Sequence, residues 1–316
     1  MSSMTGPHHG AAGDDPREQF AAALLDRLWM RYRNRVAHVQ AYEQVVASAG
    51  AKFTNDHIAL RTLAGQIPLT GIASIGRIFE ALGWRAAGAY QFPDKLLNAV
   101  HYEHANPGFP KIFVSELQIW AVPLETRDLL LKSLRTHRLP ISDETLGQVA
   151  RCGDLPDADQ MVLLDRVVRE FHELPWTLPE KEDVEAVNRS SQYAAWVLLH
   201  GYNVNHFTSL INSHAVPALD SIDKTVGALA GAGVPMKAEI EGQPGSRLRQ
   251  TATAAVVIDV EVADHGLQSR MPWTYAYFEL AERGEILDPD TGVRRRFEGF
   301  LGAQATHLFE MTRRER

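Results

Sequence analysis

The chain of 316 residues has a single cysteine, Cys152, so it cannot form an intramolecular disulfide, and a reducing compartment such as the cytoplasm is expected. Cys152 has no Cys-x-x-Cys partner and lies in a polar stretch between Arg151 and Gly153, where it reads as a bystander. No apolar run approaches the roughly 20 residues needed to span a bilayer, so no membrane association is expected. The formal net charge of −7 also lacks the basic excess of a nucleic-acid surface. Arg294-Arg295-Arg296 and the tail from Arg313 to Arg316 are short, have acidic neighbours and read as solvated surface. Residues 1–16 are rich in Gly, His and Asp and lack an apolar centre, which excludes a secretory signal; they read as a disordered leader that includes His8 and His9. P-loop, G-x-S-x-G and H-E-x-x-H patterns are all absent. Gly227, Gly231 and Gly233 follow a helix rather than a strand, so they are not a dinucleotide fingerprint.

What is present is an ordinary soluble-enzyme composition, 45% hydrophobic and 22% charged, with two stretches of similar rhythm. Phe20, Leu24, Leu25, Leu28, Trp29 and Tyr32 recur at helical spacing, and N-terminal helices occupy 17–50. Residues 51–123 then read as β-α-β-β-β, with strands at 56–63, 84–92, 98–104 and 111–120 and a helix at 73–82. A charged helical insertion follows over 124–200, interrupted by Pro140, Pro156, Pro175 and Pro179. The rhythm returns in 201–312, with strands expected at 203–211, 234–240, 252–262 and 273–281 and a helix at 218–232. The expected fold is therefore α+β, two β-α-β-β-β units sharing a central sheet and cavity.

Alternation along a strand decides which side chains face that cavity. In the first unit's opening strand His57, Ala59 and Arg61 share one face, an unusual set for an apolar core. In the second unit's opening strand Val204, His206, Thr208 and Leu210 share one, and the closing strand aligns Tyr275, Tyr277 and Glu279. If the two opening strands lie side by side about a pseudo-twofold axis, His57, His206 and Glu279 converge as a two-histidine, one-carboxylate metal site, the ligand set of a non-haem Fe(II) centre. The matching acid in the first unit is Glu116, a candidate fourth ligand or hydrogen-bond partner to a ligand. A competing cluster, His101 with Glu103, also shares a strand face, although His104 points away.

The segments D-H-I-A-L-R-T, F-V-S-E-L, G-Y-N-V-N-H-F-T, R-Q-T-A and Y-F-E-L resemble the 2-oxoadipate dioxygenase/decarboxylases, or hydroxyglutarate synthases, over about Leu25 to Phe309. That resemblance implies an elaborated vicinal-oxygen-chelate fold with His57, His206 and Glu279 as Fe(II) ligands and Arg61 as the clamp on a substrate carboxylate. Gln250 and Thr251 are candidates for neutral hydrogen bonds to substrate, with Arg247 or Arg249 as further candidates. The implied reaction takes a 2-oxo acid and O2, and converts 2-oxoadipate to 2-hydroxyglutarate plus CO2 in lysine catabolism. The chain is shorter than the long bacterial form of that family, and the family's usual Gln-Thr-Ser here reads Gln250-Thr251-Ala252.

Two other functions fit the same residues. A glyoxalase-type isomerase or lyase would use Glu116 to close a four-ligand site around Zn or Ni. A metal-free binding protein would hold a small anion with Arg61 and the Tyr275/Tyr277 face. Nothing in the pattern fixes an oligomeric state. Because a guanidinium grips a carboxylate with two parallel N–H groups and an ammonium cannot, Arg61→Lys is expected to raise KM for the 2-oxo acid sharply, or abolish turnover, at normal iron content. Wild-type kinetics in that variant would remove Arg61 from the site.

Overall fold

The computed structural model describes residues 6–138, 141–288 and 292–301. The Arg313 to Arg316 tail and the end of the second unit to residue 312 lie outside them. Two helices lead, α1 (Pro16–Arg35) and α2 (Ala37–Ser48). The first unit follows as β1 (Asn55–Ala64), α3 (Ile72–Ala81), β2 (Arg85–Phe92), β3 (Leu97–Glu103) and β4 (Lys111–Gln118). Residues 124–200 carry α4 (Leu124–Leu134), α5 (Asp143–Ala150), α6 (Asp157–His172), α7 (Lys181–Ser190) and α8 (Gln192–His200). The second unit contributes β5 (Val204–Leu210), α9 (Ile222–Gly231), β6 (Leu248–Ala252), β7 (Val257–Asp264), β8 (Leu267–Thr274) and β9 (Glu279–Arg283), followed by a small ribbon of β10 (Glu285–Leu287) and β11 (Arg294–Arg296). None of the described helices is long and apolar enough to cross a membrane.

The units share one seven-stranded sheet in the order β2-β3-β4-β1-β5-β9-β6. β1 and β5 run antiparallel at its centre, while β4 and β9 flank them in parallel. His57 opposes Thr208 and Ala59 opposes His206, so exchanging the two strands exchanges the two histidines. That is the pseudo-twofold relation the sequence rhythm implied. Phe207 and Phe278 alternate with the polar side chains and pack into the apolar core, where the Trp29 ring of α1 meets Phe207 at 5.0 Å and Tyr42 of α2 meets Phe278 at 4.8 Å.

Three expectations change. The leader is packed from Gly6 onward: His8 is buried, with Nδ1 2.9 Å from Asp26 Oδ1. An aromatic ring that finds both a half-buried acid and an apolar wall (Phe207 at 6.0 Å) gains enough to order a short polar segment. The expected strand at 234–240 survives only as isolated bridges, Met236 to Thr253 and Glu241 to Gln250. Finally, the strands expected at 252–262 and 273–281 are each broken. β7 and β8 leave the main sheet and pair with each other, so 253–256 and 275–278 become connectors between hairpin and sheet.

Register also corrects the place of Glu116. Ala59 opposes Phe113 in the first unit and Thr208 opposes Glu279 in the second, so Phe113 is the counterpart of Glu279. Glu116 matches Glu282 instead. Both acids cap the helix of their own unit: Glu116 Oε2 accepts from Ile72 N at 2.8 Å, and Glu282 Oε2 accepts from Ile222 N at 2.6 Å. A carboxylate at a helix N-terminus satisfies an orphan N–H and meets the positive end of the dipole. Glu116→Ala is therefore expected to cost about 1 kcal/mol of stability, read as a lower melting temperature, with metal binding unchanged. Lost metal binding at an unchanged melting temperature would return Glu116 to the site.

Candidate metal centre

Two β-bulges build the centre. Between β1 and β5 the register slips once at Asp56 and once at Asn205, each residue being the extra one on its strand. A bulge re-aims side chains that strict alternation would send to opposite faces. Here each bulge lets the residue before a histidine hold that histidine's ring. Asp56 Oδ2 accepts from His57 Nδ1 at 2.8 Å, and Asn205 Oδ1 accepts from His206 Nδ1 at 3.1 Å. With Nδ1 carrying the proton, each ring turns the lone pair of Nε2 inward.

The inward atoms meet. The two Nε2 atoms are 3.4 Å apart, His206 Nε2 is 3.3 Å from Glu279 Oε2, and His57 Nε2 is 3.6 Å from Glu279 Oε1. Ligand atoms about 2.1 Å from one ion at right angles would be about 3 Å apart, so the triangle has the size of one face of a coordination sphere. Among the described residues, these are the one set of three or more His, Cys, Asp or Glu whose ligand atoms all converge, within 4.8 Å of one another.

Burial gives the stronger argument. Glu279 is 0% exposed. Its Oε1 accepts from Gln250 Nε2 at 2.8 Å, while its Oε2 has no hydrogen-bond donor among the described residues. Burial, reinforced by Glu241, pushes the Glu279 carboxyl well above its usual range. Burial likewise holds His206 well below the ordinary imidazole value and lowers His57 despite its bond to Asp56. An isolated buried carboxylate is costly. Two neutral imidazoles and one carboxylate with an orphaned oxygen are the donor set a divalent cation satisfies. The residues present fit such an ion.

Behind His57 lies a residue that strand alternation did not single out. Asp56 is held by Arg283, whose Nη2 donates to Oδ2 at 2.7 Å. Burial opposes ionisation of Asp56, yet this guanidinium and His57 keep its carboxyl well below the usual range. The sequence did carry a signal: the residue before each histidine, Asp56 and Asn205, is a short side-chain acceptor. Thr208, directly across from His57, brings its hydroxyl 3.1 Å from Nε2.

The two histidines open on a cavity of about 40 Å³ whose lining includes Ala59, Arg61, Phe113, Tyr277, Phe300 and Leu301. Arg61 is buried, its guanidinium 5.1 Å from the Tyr193 ring centre and 5.2 Å from that of Trp196, both on α8. The Tyr193 hydroxyl donates to Ser115 O at 2.8 Å and receives Thr62 N at 3.3 Å, tying α8 to β4 and β1. Tyr277 stacks on His206 at 4.9 Å.

Other sequence candidates fall elsewhere. Thr251 alternates away from Gln250, and its hydroxyl donates to Glu239 O at 2.9 Å, so it does not reach the cavity. Gln250 does line the cavity, with its amide spent on Glu279. Arg249 pairs with Asp223 at 2.6 Å, and Arg247 lies 6.0 Å from the Phe297 ring centre. Tyr275 turns to Trp196 and His200 rather than joining Tyr277, because 275–278 is a connector and not a strand. Glu116 is taken up by α3. His101 bonds to Tyr90 at 3.0 Å and to Glu103 at 3.2 Å, with no third ligand among the described residues.

Comparison with known proteins gives the same picture. A glyoxalase superfamily protein from Ralstonia eutropha JMP134 superposes with a TM-score of 0.77 at 26% identity, covering 90% of this chain and 86% of its own. The hydroxyglutarate synthase of Oryza sativa, solved in complex with 2-oxoadipate, shares the fold at TM-score 0.75 and 24% identity, covering 96% and 95%. The architecture is thus the mixed α+β, curled-sheet fold of the vicinal-oxygen-chelate proteins. In sequence, the chloroplastic 2-oxoadipate dioxygenase/decarboxylase of Arabidopsis thaliana is 26% identical over 97% of this chain and 81% of its own length. A profile of that family matches residues 24–313. The chain belongs to the 2-oxoadipate dioxygenase/decarboxylase family.

Proposed function

We propose that the protein binds a 2-oxo dicarboxylic acid at a divalent iron held by His57, His206 and Glu279, and couples loss of CO2 to hydroxylation by O2. 2-Oxoadipate is the leading substrate, and the atoms balance: 2-oxoadipate plus O2 gives 2-hydroxyglutarate plus CO2. Such a step belongs to lysine breakdown. The observation that carries the reading is the buried Glu279 Oε2, which has no donor among the described residues and lies 3.3 Å from Nε2 of His206, beside a cavity that both histidines line. His57, His206 and Glu279 would hold a divalent iron there, and the iron would supply the chemistry that brings a 2-oxo acid and O2 to reaction.

The chain's own side chains account for the rest. Arg61 lies four residues along β1 from His57, a Cα separation of about 13 Å in an extended strand, which suits a ligand with two separated anionic ends. Its guanidinium takes the far carboxylate, held in place by two aromatic faces. Ala59, between them, leaves room for a methylene chain. Phe113, Phe300 and Leu301 wall the cavity with apolar surface and limit water near the oxidising centre. Phe113 also occupies the position related to Glu279, where a closed four-ligand isomerase site would need its second acid; this favours the oxygenase over the glyoxalase-type alternative.

Ferrous iron at a hundred times its dissociation constant should stabilise the protein by about 2.7 kcal/mol, seen anaerobically as a rise of several degrees in melting temperature. His57→Ala should show neither the bound iron nor the rise; retained iron with retained turnover would move the site elsewhere. The function itself is tested by loading the metal-free protein with Fe(II) anaerobically and screening 2-oxo acids in an oxygen electrode with a CO2 trap. O2 uptake matched one to one by CO2 with 2-oxoadipate is expected. No uptake with any 2-oxo acid at full iron occupancy would falsify the dioxygenase reading.

A further inference from the structure

Arg283 has a fully buried guanidinium, and four of its five N–H groups are directed in two directions at once. On one side Nε and Nη2 fork onto Asp56, at 2.5 and 2.7 Å, and the same Asp56 Oδ2 takes the proton of His57 Nδ1. On the other side Nη1 donates to the carbonyls of Phe297 and Gly299, at 3.0 and 2.9 Å. Those carbonyls belong to a strap, residues 297–301, that carries Phe300 and Leu301 into the cavity wall. The Phe300 ring lies 5.3 Å beneath the guanidinium and meets His57 edge-on at 4.9 Å, Phe113 at 5.0 Å and His101 at 5.1 Å. Phe300 N also reaches the Tyr90 hydroxyl at 3.4 Å, and Lys111 holds Glu298 at 2.6 Å.

From this geometry we infer that Arg283 is a positioning residue that couples the ring of His57 to the strap walling the cavity. The inference rests on His57 as a metal ligand and goes beyond it by linking that ligand to the substrate-side wall. The fork fixes Asp56, Asp56 fixes the His57 ring, and the same guanidinium fixes the backbone that presses Phe300 against that ring. A change on either side reaches the other through one rigid planar group. Lysine keeps the charge but loses the planar fork, so it cannot serve Asp56 bidentately and both carbonyls together.

The test uses Co(II) as the probe, since its visible absorption reports the ligand sphere without turnover, together with amide hydrogen exchange of 297–301. Arg283→Lys should fold, bind Co(II) at least tenfold more weakly, shift the cobalt band, and exchange the strap amides faster. Asp56→Asn, which leaves Arg283 in place, should produce the same pair of effects. Phe300→Ala, which leaves both carbonyls bound by Arg283 in place, should weaken Co(II) binding less than Arg283→Lys does while raising KM for 2-oxoadipate more than it lowers kcat. If either Arg283→Lys or Asp56→Asn alters the cobalt site but leaves strap exchange at the wild-type rate, or the reverse, the coupling is wrong. Should Arg283→Lys fail to fold, Asp56→Asn alone decides between these outcomes. Wild-type protein that binds no cobalt would overturn the metal reading and, with it, this role for Arg283; strap exchange in the variants would still show whether Asp56 and the strap are linked.

Discussion

A carboxylate oxygen buried without a donor organises this molecule. Removing Glu279 from water raises the cost of its charge, and Gln250 answers for only one of its two oxygens. His206 faces the other oxygen and His57 the one Gln250 holds; burial lowers the pKa of both imidazoles, and Asp56 and Asn205 orient them. A divalent cation would resolve all three demands together. The bulges, the buried Asp56–Arg283 pair and the Gln250 amide are then devices that hold a preformed ligand triangle, and much of the sheet's central pairing serves that end.

Duplication supplies the triangle, and divergence makes it useful. The antiparallel β1–β5 pair sets one histidine from each unit across a pseudo-twofold axis. Strict symmetry would also bring two acids, one from β4 and one from β9. The chain keeps Glu279 and sets Phe113 opposite, so among the described residues no second acid joins the site. Arg61 and Leu210, at related places on β1 and β5, break the symmetry again and give the cavity one cationic end. The helical insertion acts here too, since α8 provides the aromatic faces on which Arg61 rests.

Much of this was legible in the sequence because period-two alternation is a strong constraint wherever a strand is buried on both faces. His57, Ala59 and Arg61 declared a polar cavity, and His206 declared its partner. Glu116 misled because Y-F-E-L-A-E-R holds two glutamates three residues apart: F-V-S-E-L fits either, and only hydrogen-bonded register shows that Glu282, not Glu279, is its match. Thr251 was grouped with Gln250 although neighbours in a strand face opposite ways. The role of Asp56 was hidden by the bulge, since alternation sends it away from His57 and one extra residue brings it back. His8 and the β7–β8 hairpin were illegible for another reason: long-range packing decided both, and local composition carries little of that information.

The account is tested most directly by anomalous diffraction at the iron edge from crystals loaded anaerobically with Fe(II). It predicts one peak bonded to His57 Nε2, His206 Nε2 and Glu279 Oε2, open toward Arg61. A peak beside His101 and Glu103, or no peak in the cavity at saturating iron, would contradict it.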